Sequence, residues 1–129
     1  MKILMINPPA ENLVVENPDE QGESFIEADD YGYFPPLGML YVLSHLEAHT
    51  SGHDLHLKDC VAEHISHGEL AAIVEDIQPD VVGITSFTIS LVDVVMVART
   101  VRAIRPDAHI CLGGHHPIAF PVEAASLKE

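Results

Sequence analysis

The chain has 129 residues, inside the range of about 100–200 that one domain usually takes, and a chain this long can build an apolar core without a disulfide or metal staple. Hydrophobic residues make up 47%, too many for a disordered chain, and six Lys+Arg against 20 Asp+Glu leave a formal charge of −14. That field repels polyanions, which excludes nucleic acid and anionic membrane surfaces as partners, and no apolar run approaches the roughly 18–20 residues that span a bilayer.

The opening residues, Met1-Lys2-Ile3-Leu4, pass straight into a strand-like run without a signal peptide, which predicts a cytoplasmic protein. That run, Lys2 to Ile6, is apolar and stopped by Asn7-Pro8-Pro9, the pattern of a strand buried on both faces. Residues 10–35 are polar, and from Glu11 to Asp30 acids accumulate with no base among them. So long an aperiodic stretch in a small domain is expected to be a solvated flap or a functional loop. Pro36 then opens a helix with Leu37, Leu40, Leu43 and Leu46 at spacing three, and Gly52 is expected to cap it in a left-handed conformation. Within this helix His45 and His49 stand four apart, a spacing that can bind metal but is read here as a surface pair.

Leu55-His56-Leu57 is a short second strand. Ser66-His67-Gly68-Glu69 forms a capping box for a helix whose inward face is Leu70, Ile73, Val74 and Ile77, ending before Pro79. Asp80 to Ser86 is the clearest strand. Ser90 and Asp93 resemble a second capping box, opening a helix with Val92, Val95, Met96 and Ile104 inward until Pro106. His109 to Leu112 forms a fourth strand, followed by Gly113-Gly114-His115-His116-Pro117, and 121–128 carries one or two helical turns. Cys60 and Cys111 are too few for a disulfide framework and lack metal-ligand spacing, so both are read as buried reduced thiols.

Strands alternating with helices predict an α/β fold: a doubly wound parallel sheet, flavodoxin-like (Rossmann-type), with strand order 2-1-3-4. Such sheets normally hold five strands, and here only four are legible. Residues 1–129 are therefore expected to be one domain, an N-terminal fragment of a longer enzyme, with an exposed fourth strand that invites a homodimer through the sheet edge.

Ligands of such sheets bind outside the carboxyl ends of the strands. The turns delivered there are Asn7-Pro8-Pro9, Ser86-Phe87-Thr88 and Gly113-Gly114-His115-His116. The first lacks the G-x-G-x-x-G of a dinucleotide site, no P-loop occurs, and Ser86 stands where a phospho-receiver needs aspartate. The prolines also remove N–H donors that a flavin phosphate would use, leaving a flavin or another small molecule as an alternative ligand, and a non-binding structural or interaction fragment as a further one.

The segments 2–9 (KILMINPP), 33–47 (YFPPLGMLYVLSHLE), 51–59 (SGHDLHLKD), 79–88 (PDVVGITSFT) and 106–117 (PDAHICLGGHHP) together resemble the N-terminal cobalamin-binding domain of cobalamin-dependent radical S-adenosylmethionine enzymes, the anaerobic magnesium-protoporphyrin monomethyl ester cyclase group among them. The wider cobalamin-binding family places D-x-H-x-x-G after its first strand, S-x-L after the third and G-G after the fourth. Ser86-Phe87-Thr88 matches the second station with Thr for Leu, and Gly113-Gly114 matches the third. Asn7-Pro8-Pro9 departs from the first, so no axial histidine to cobalt carries over from that turn. The resemblance implies a cobalamin with its nucleotide tail in the sheet crevice. Gly113 and Gly114 would allow close approach, Ser86 and Thr88 would bond the tail, and Phe87, His115 and His116 would lie beside it. The corrin would rest on Pro8, Pro9, Leu37, Gly38 and Leu91. It implies no catalytic residue in this chain. An iron–sulfur cluster and S-adenosylmethionine would belong to a catalytic domain elsewhere in the parent, acting in methyl transfer or tetrapyrrole cyclisation, because two isolated cysteines cannot hold such a cluster.

Overall fold

Residues 1–12 and 34–127 are described by the structure, a computed structural model; the acidic stretch read as a flap falls mostly outside them, as does Lys128. The elements are β1 (Lys2–Asn7), α1 (Leu37–His49), β2 (Asp54–Asp59), α2 (His67–Ile77), β3 (Val81–Ser86), a 3-10 turn (Thr88–Ser90), α3 (Leu91–Ile104), β4 (His109–Gly114), α4 (His115–Ala119) and α5 (Pro121–Ser126). The four strands form one parallel sheet in the order β2-β1-β3-β4, as the alternation predicts. Register is continuous, from Lys2 opposite Asp54 to Asn7 opposite Asp59, and from Val81 opposite His109 to Ser86 opposite Gly114. No helix among the described residues is long and apolar enough to cross a membrane.

Alternation along each strand sends successive side chains to opposite faces. On one face Leu4, Ile6, Val82 and Ile84 pack against Leu70, Val74 and Ile77 of α2 and Val94, Val97, Ala98 and Val101 of α3. The capping box at α2 forms as expected: Glu69 N donates to Ser66 Oγ at 3.3 Å, and Ser66 N donates to Glu69 Oε2 at 2.9 Å. The expected box at α3 does not form. The Ser90 hydroxyl is engaged with Phe87, and Asp93 is turned inward and fully buried. The inward face of α3 is also displaced from the expected one: Val92 and Met96 are exposed, and Val95 and Ile104 are half-buried. Residues 91–97 are almost continuously aliphatic, so no single stripe marks the buried side.

Among the described residues the other face is only partly covered. α1 buries Met39 alone; Leu43 and Leu46 are half-buried, while Leu37 and Leu40 are exposed. The spacing-three leucines therefore do not form the buried stripe expected of them. α1 ends at Thr50, whose hydroxyl donates to Leu46 O, and Gly52 takes its positive φ of 79° two residues later, in the turn to β2. Cys60 is buried, but Cys111 is exposed, contrary to the sequence reading, because it stands on the uncovered face of the outer strand β4.

Candidate functional site

The uncovered face of β1, β3 and β4, with α1 as a side wall, encloses a cleft of about 730 Å³. Its floor is the run of side chains that alternation points to this face: Met5, Gly83, Thr85, Cys111 and Gly113. The parallel register aligns Met5 with Gly83 and Gly83 with Cys111, and the Met5 side chain lies over Gly83, so the floor is flat apolar surface across three strands, opening at Gly113. Its walls are Asn7-Pro8-Pro9 after β1, Phe34 to Gly38 at the start of α1, and Phe87 with His115 at the tips of β3 and β4. The volume falls within the range of about 300–1,000 Å³ usual for small-molecule sites.

Of the residues singled out from sequence, Asn7, Pro8, Pro9, Leu37, Gly38, Phe87, Gly113, Gly114 and His115 line this cleft. Ser86, Thr88, Leu91 and His116 do not. Ser86 is fully buried, and its hydroxyl donates to Gly113 O at 2.9 Å, lashing the tips of β3 and β4 together. Thr88 Oγ1 lies 3.2 Å from His116 Nδ1, behind the cleft wall, where His116 is buried beside Phe120 and its Nε2 has no partner. The two adjacent histidines thus grip the two residues after Ser86 from opposite sides. The His115 ring stacks on Phe87 at 4.8 Å and 17°, forming a flat edge at the cleft mouth, and His116 holds Thr88.

The two glycines differ. Gly114 has φ 91°, and a Cβ there would lie 2.6 Å from Ser86 O and 2.7 Å from Ser86 N, so the fold itself demands glycine. A Cβ on Gly113 would meet nothing closer than Ile84 O at 4.0 Å. Its missing side chain leaves room in the cleft and serves no contact of the fold.

Among the described residues no Lys or Arg lines the cleft, and Cys111 and His115 are its titratable groups. Cys60 lies apart from it, and burial, reinforced by the charges of Glu63 and Asp59, pushes its thiol up to about 12, which makes it inert. His45 and His49 pair on exposed α1 with ring centroids 4.3 Å apart, and no metal-holding group of three His, Cys, Asp or Glu exists among the described residues. The floor residues Met5, Gly83, Thr85 and Cys111 were missed from sequence. Their signal is period-two alternation in strands whose second face meets no helix of its own among the described residues.

The model of the B12 binding domain family matches residues 24–128. The chain belongs to the B12-binding domain family. This B12-binding domain is 30% identical over 121 residues to an uncharacterized methyltransferase of Pyrococcus horikoshii, a match that covers 94% of this chain and 23% of the relative. It is 30% identical over 90 residues to the anaerobic magnesium-protoporphyrin IX monomethyl ester cyclase of Cereibacter sphaeroides, covering 69% of this chain and 14% of that protein. The B12-binding domain therefore spans under a quarter of the length of these two relatives. No solved structure matches it.

Proposed function

We propose that this domain binds cobalamin in the cleft, with the nucleotide tail laid along the floor of Met5, Gly83, Cys111 and Gly113 and the corrin ring at the mouth. The observation that carries the reading is the space above Gly113, an opening at the strand tips that no contact of the fold requires. A benzimidazole is flat and largely apolar, so it suits such a floor. A cleft of about 730 Å³ takes part of a corrinoid rather than all of it, which leaves the ring over the mouth between Pro8, Pro9, Leu37 and the Phe87–His115 stack. When bound, the corrinoid would supply a cobalt centre able to carry a methyl group. The residues of this chain bind and orient it, and none of them reacts.

The reading extends to a longer parent. Both relatives are several times the length of this chain, and one is named a methyltransferase and the other a cyclase. We place this domain before a radical S-adenosylmethionine domain that holds the iron–sulfur cluster and carries out methyl transfer or tetrapyrrole cyclisation. Phe34, Leu37 and Tyr41 expose large apolar surface beside the mouth, and that surface suits the catalytic domain closing over the ring. Self-pairing through the outer edge of β4 is the rival use of exposed surface, and a concentration-dependent dimer in light scattering would support it.

Titration of the chain with hydroxocobalamin tests binding. The expected result is a shifted corrin spectrum and colour retained through gel filtration at about 100 μM protein, the weak end of useful affinity. No retained colour would reject the reading, and retention of yellow FMN instead would favour a flavin site.

A further inference from the structure

Asp93 is the only buried carboxylate among the described residues, and neither its own helix nor the cleft accounts for it. Burial of a carboxylate is costly unless its oxygens are bonded. Each of the donors bonded to it comes from outside α3. Asn12 N donates to Oδ2 at 2.9 Å, Asn12 Nδ2 donates to Oδ1 at 2.8 Å, and His67 Nε2 lies 2.7 Å from Oδ1. Beside them the His67 backbone N–H donates to Glu11 Oε1 at 3.2 Å. Asp93 thus ties the chain leaving β1 to the N-terminal ends of α2 and α3.

The same stretch is tied at its beginning. Asn7 Nδ2 donates to Asp59 Oδ1, at the tip of β2, at 2.8 Å. Between these two ties run Pro8, Pro9 and Ala10, all of which line the cleft; the prolines are buried and have fixed φ. Glu11 and Asn12 do not line the cleft. The segment 7–12 is a strap fastened at both ends, with its middle forming one wall of the site.

We propose that Asp93 is a positioning residue for the cofactor cleft: through Asn12 it fastens the far end of the strap, so that the Pro8-Pro9 wall exists before the cofactor arrives. This rests on the reading of the cleft as a cobalamin site. A wall already in place spares the ligand the entropy of ordering it, and loosening the wall weakens binding without a contact to the ligand being lost.

Asn12→Ala is the informative variant, because Asn12 is exposed, outside the cleft and outside the core. Hydroxocobalamin affinity should fall about 3- to 10-fold, the size of one lost hydrogen bond, with the melting midpoint lowered by no more than about 5 °C. Asp93→Asn should weaken binding at least as much, and the double variant should bind no more weakly than Asp93→Asn alone. A purely structural Asp93 would move the melting midpoint and leave Asn12→Ala binding like the parent chain. Unchanged affinity in Asn12→Ala, or additive losses in the double variant, overturns the proposal. If the parent chain binds no cobalamin, the cofactor reading falls by itself, and amide exchange then decides the strap. A protected Asn12 amide in this exposed stretch supports the tie to Asp93, and exchange as fast as an unstructured peptide overturns it.

Discussion

A methyl group added at Gly114 would press on the backbone of Ser86, while one added at Gly113 would point into empty cleft. The two substitutions therefore separate folding from binding. Gly114→Ala should destabilise the chain by about 2 kcal/mol or more in urea denaturation, combining left-handed strain with overpacking. Gly113→Val should leave stability within about 1 kcal/mol and reduce cobalamin affinity at least about tenfold, because the added atoms take the ligand's place. The two cysteines offer a second contrast. Cys111 lines the cleft and is exposed, so maleimide should label it readily and bound cobalamin should protect it. Cys60 should stay unlabelled at pH 8 in the folded chain, since burial pushes its thiol from an ordinary value of 9.0 up to about 12. The folded state thus holds the Cys60 proton more tightly than the unfolded state does. That contribution to stability is complete below pH 9 and is lost as pH rises from 9 towards 12, which urea midpoints across that range would register.

The elements show where the sequence was informative and where it was not. Strands one, three and four are legible as the apolar runs Lys2 to Ile6, Asp80 to Ser86 and His109 to Leu112, and their order follows from the alternation with helices. β2 is legible only at Leu55-His56-Leu57, because the rest of Asp54–Asp59 is polar. The α2 capping box was legible because Ser66 and Glu69 meet within one turn. Ser66→Ala should cost about 1 kcal/mol in thermal or urea unfolding. The bond from the Ser66 hydroxyl holds the Glu69 carboxyl below its usual range, so the box contributes above about pH 4.5 and weakens as pH falls through the lowered value. The faces of α1 and α3 were not legible, since Leu37 to Val42 and Leu91 to Val97 are apolar nearly all round. On such helices burial is decided by what lies opposite: for α1, a sheet face left half open beside the cleft. Ser86 and Thr88 stand at a strand tip, the place from which ligand groups of such sheets project. Strand alternation turns Ser86 to the core side, and the 3-10 turn carries Thr88 behind the wall to His116. The cleft floor is hidden in the sequence for the converse reason: Met5, Gly83 and Cys111 look like ordinary strand interior, and only the structure shows that no helix among the described residues lies over them.

At the scale of the whole molecule, one face of the sheet carries the stability and the other carries the site. α2 and α3 seal the first face over the buried aliphatic cluster, and among the described residues the second is closed only at its β2 side by α1. Among the described residues the cleft is lined by apolar groups and by no Lys or Arg, which favours holding a ligand by shape and apolar contact over attraction of its phosphate to a basic group. Attachment of a corrinoid should then depend on its flat nucleotide tail. Equilibrium dialysis of the chain against cobalamin and, in parallel, cobinamide, which has the corrin ring but no nucleotide, measures that dependence. Retention of cobalamin at least about tenfold tighter than cobinamide, a difference of about 1.4 kcal/mol, is the predicted result. Equal retention of the two, or retention of neither, would contradict it.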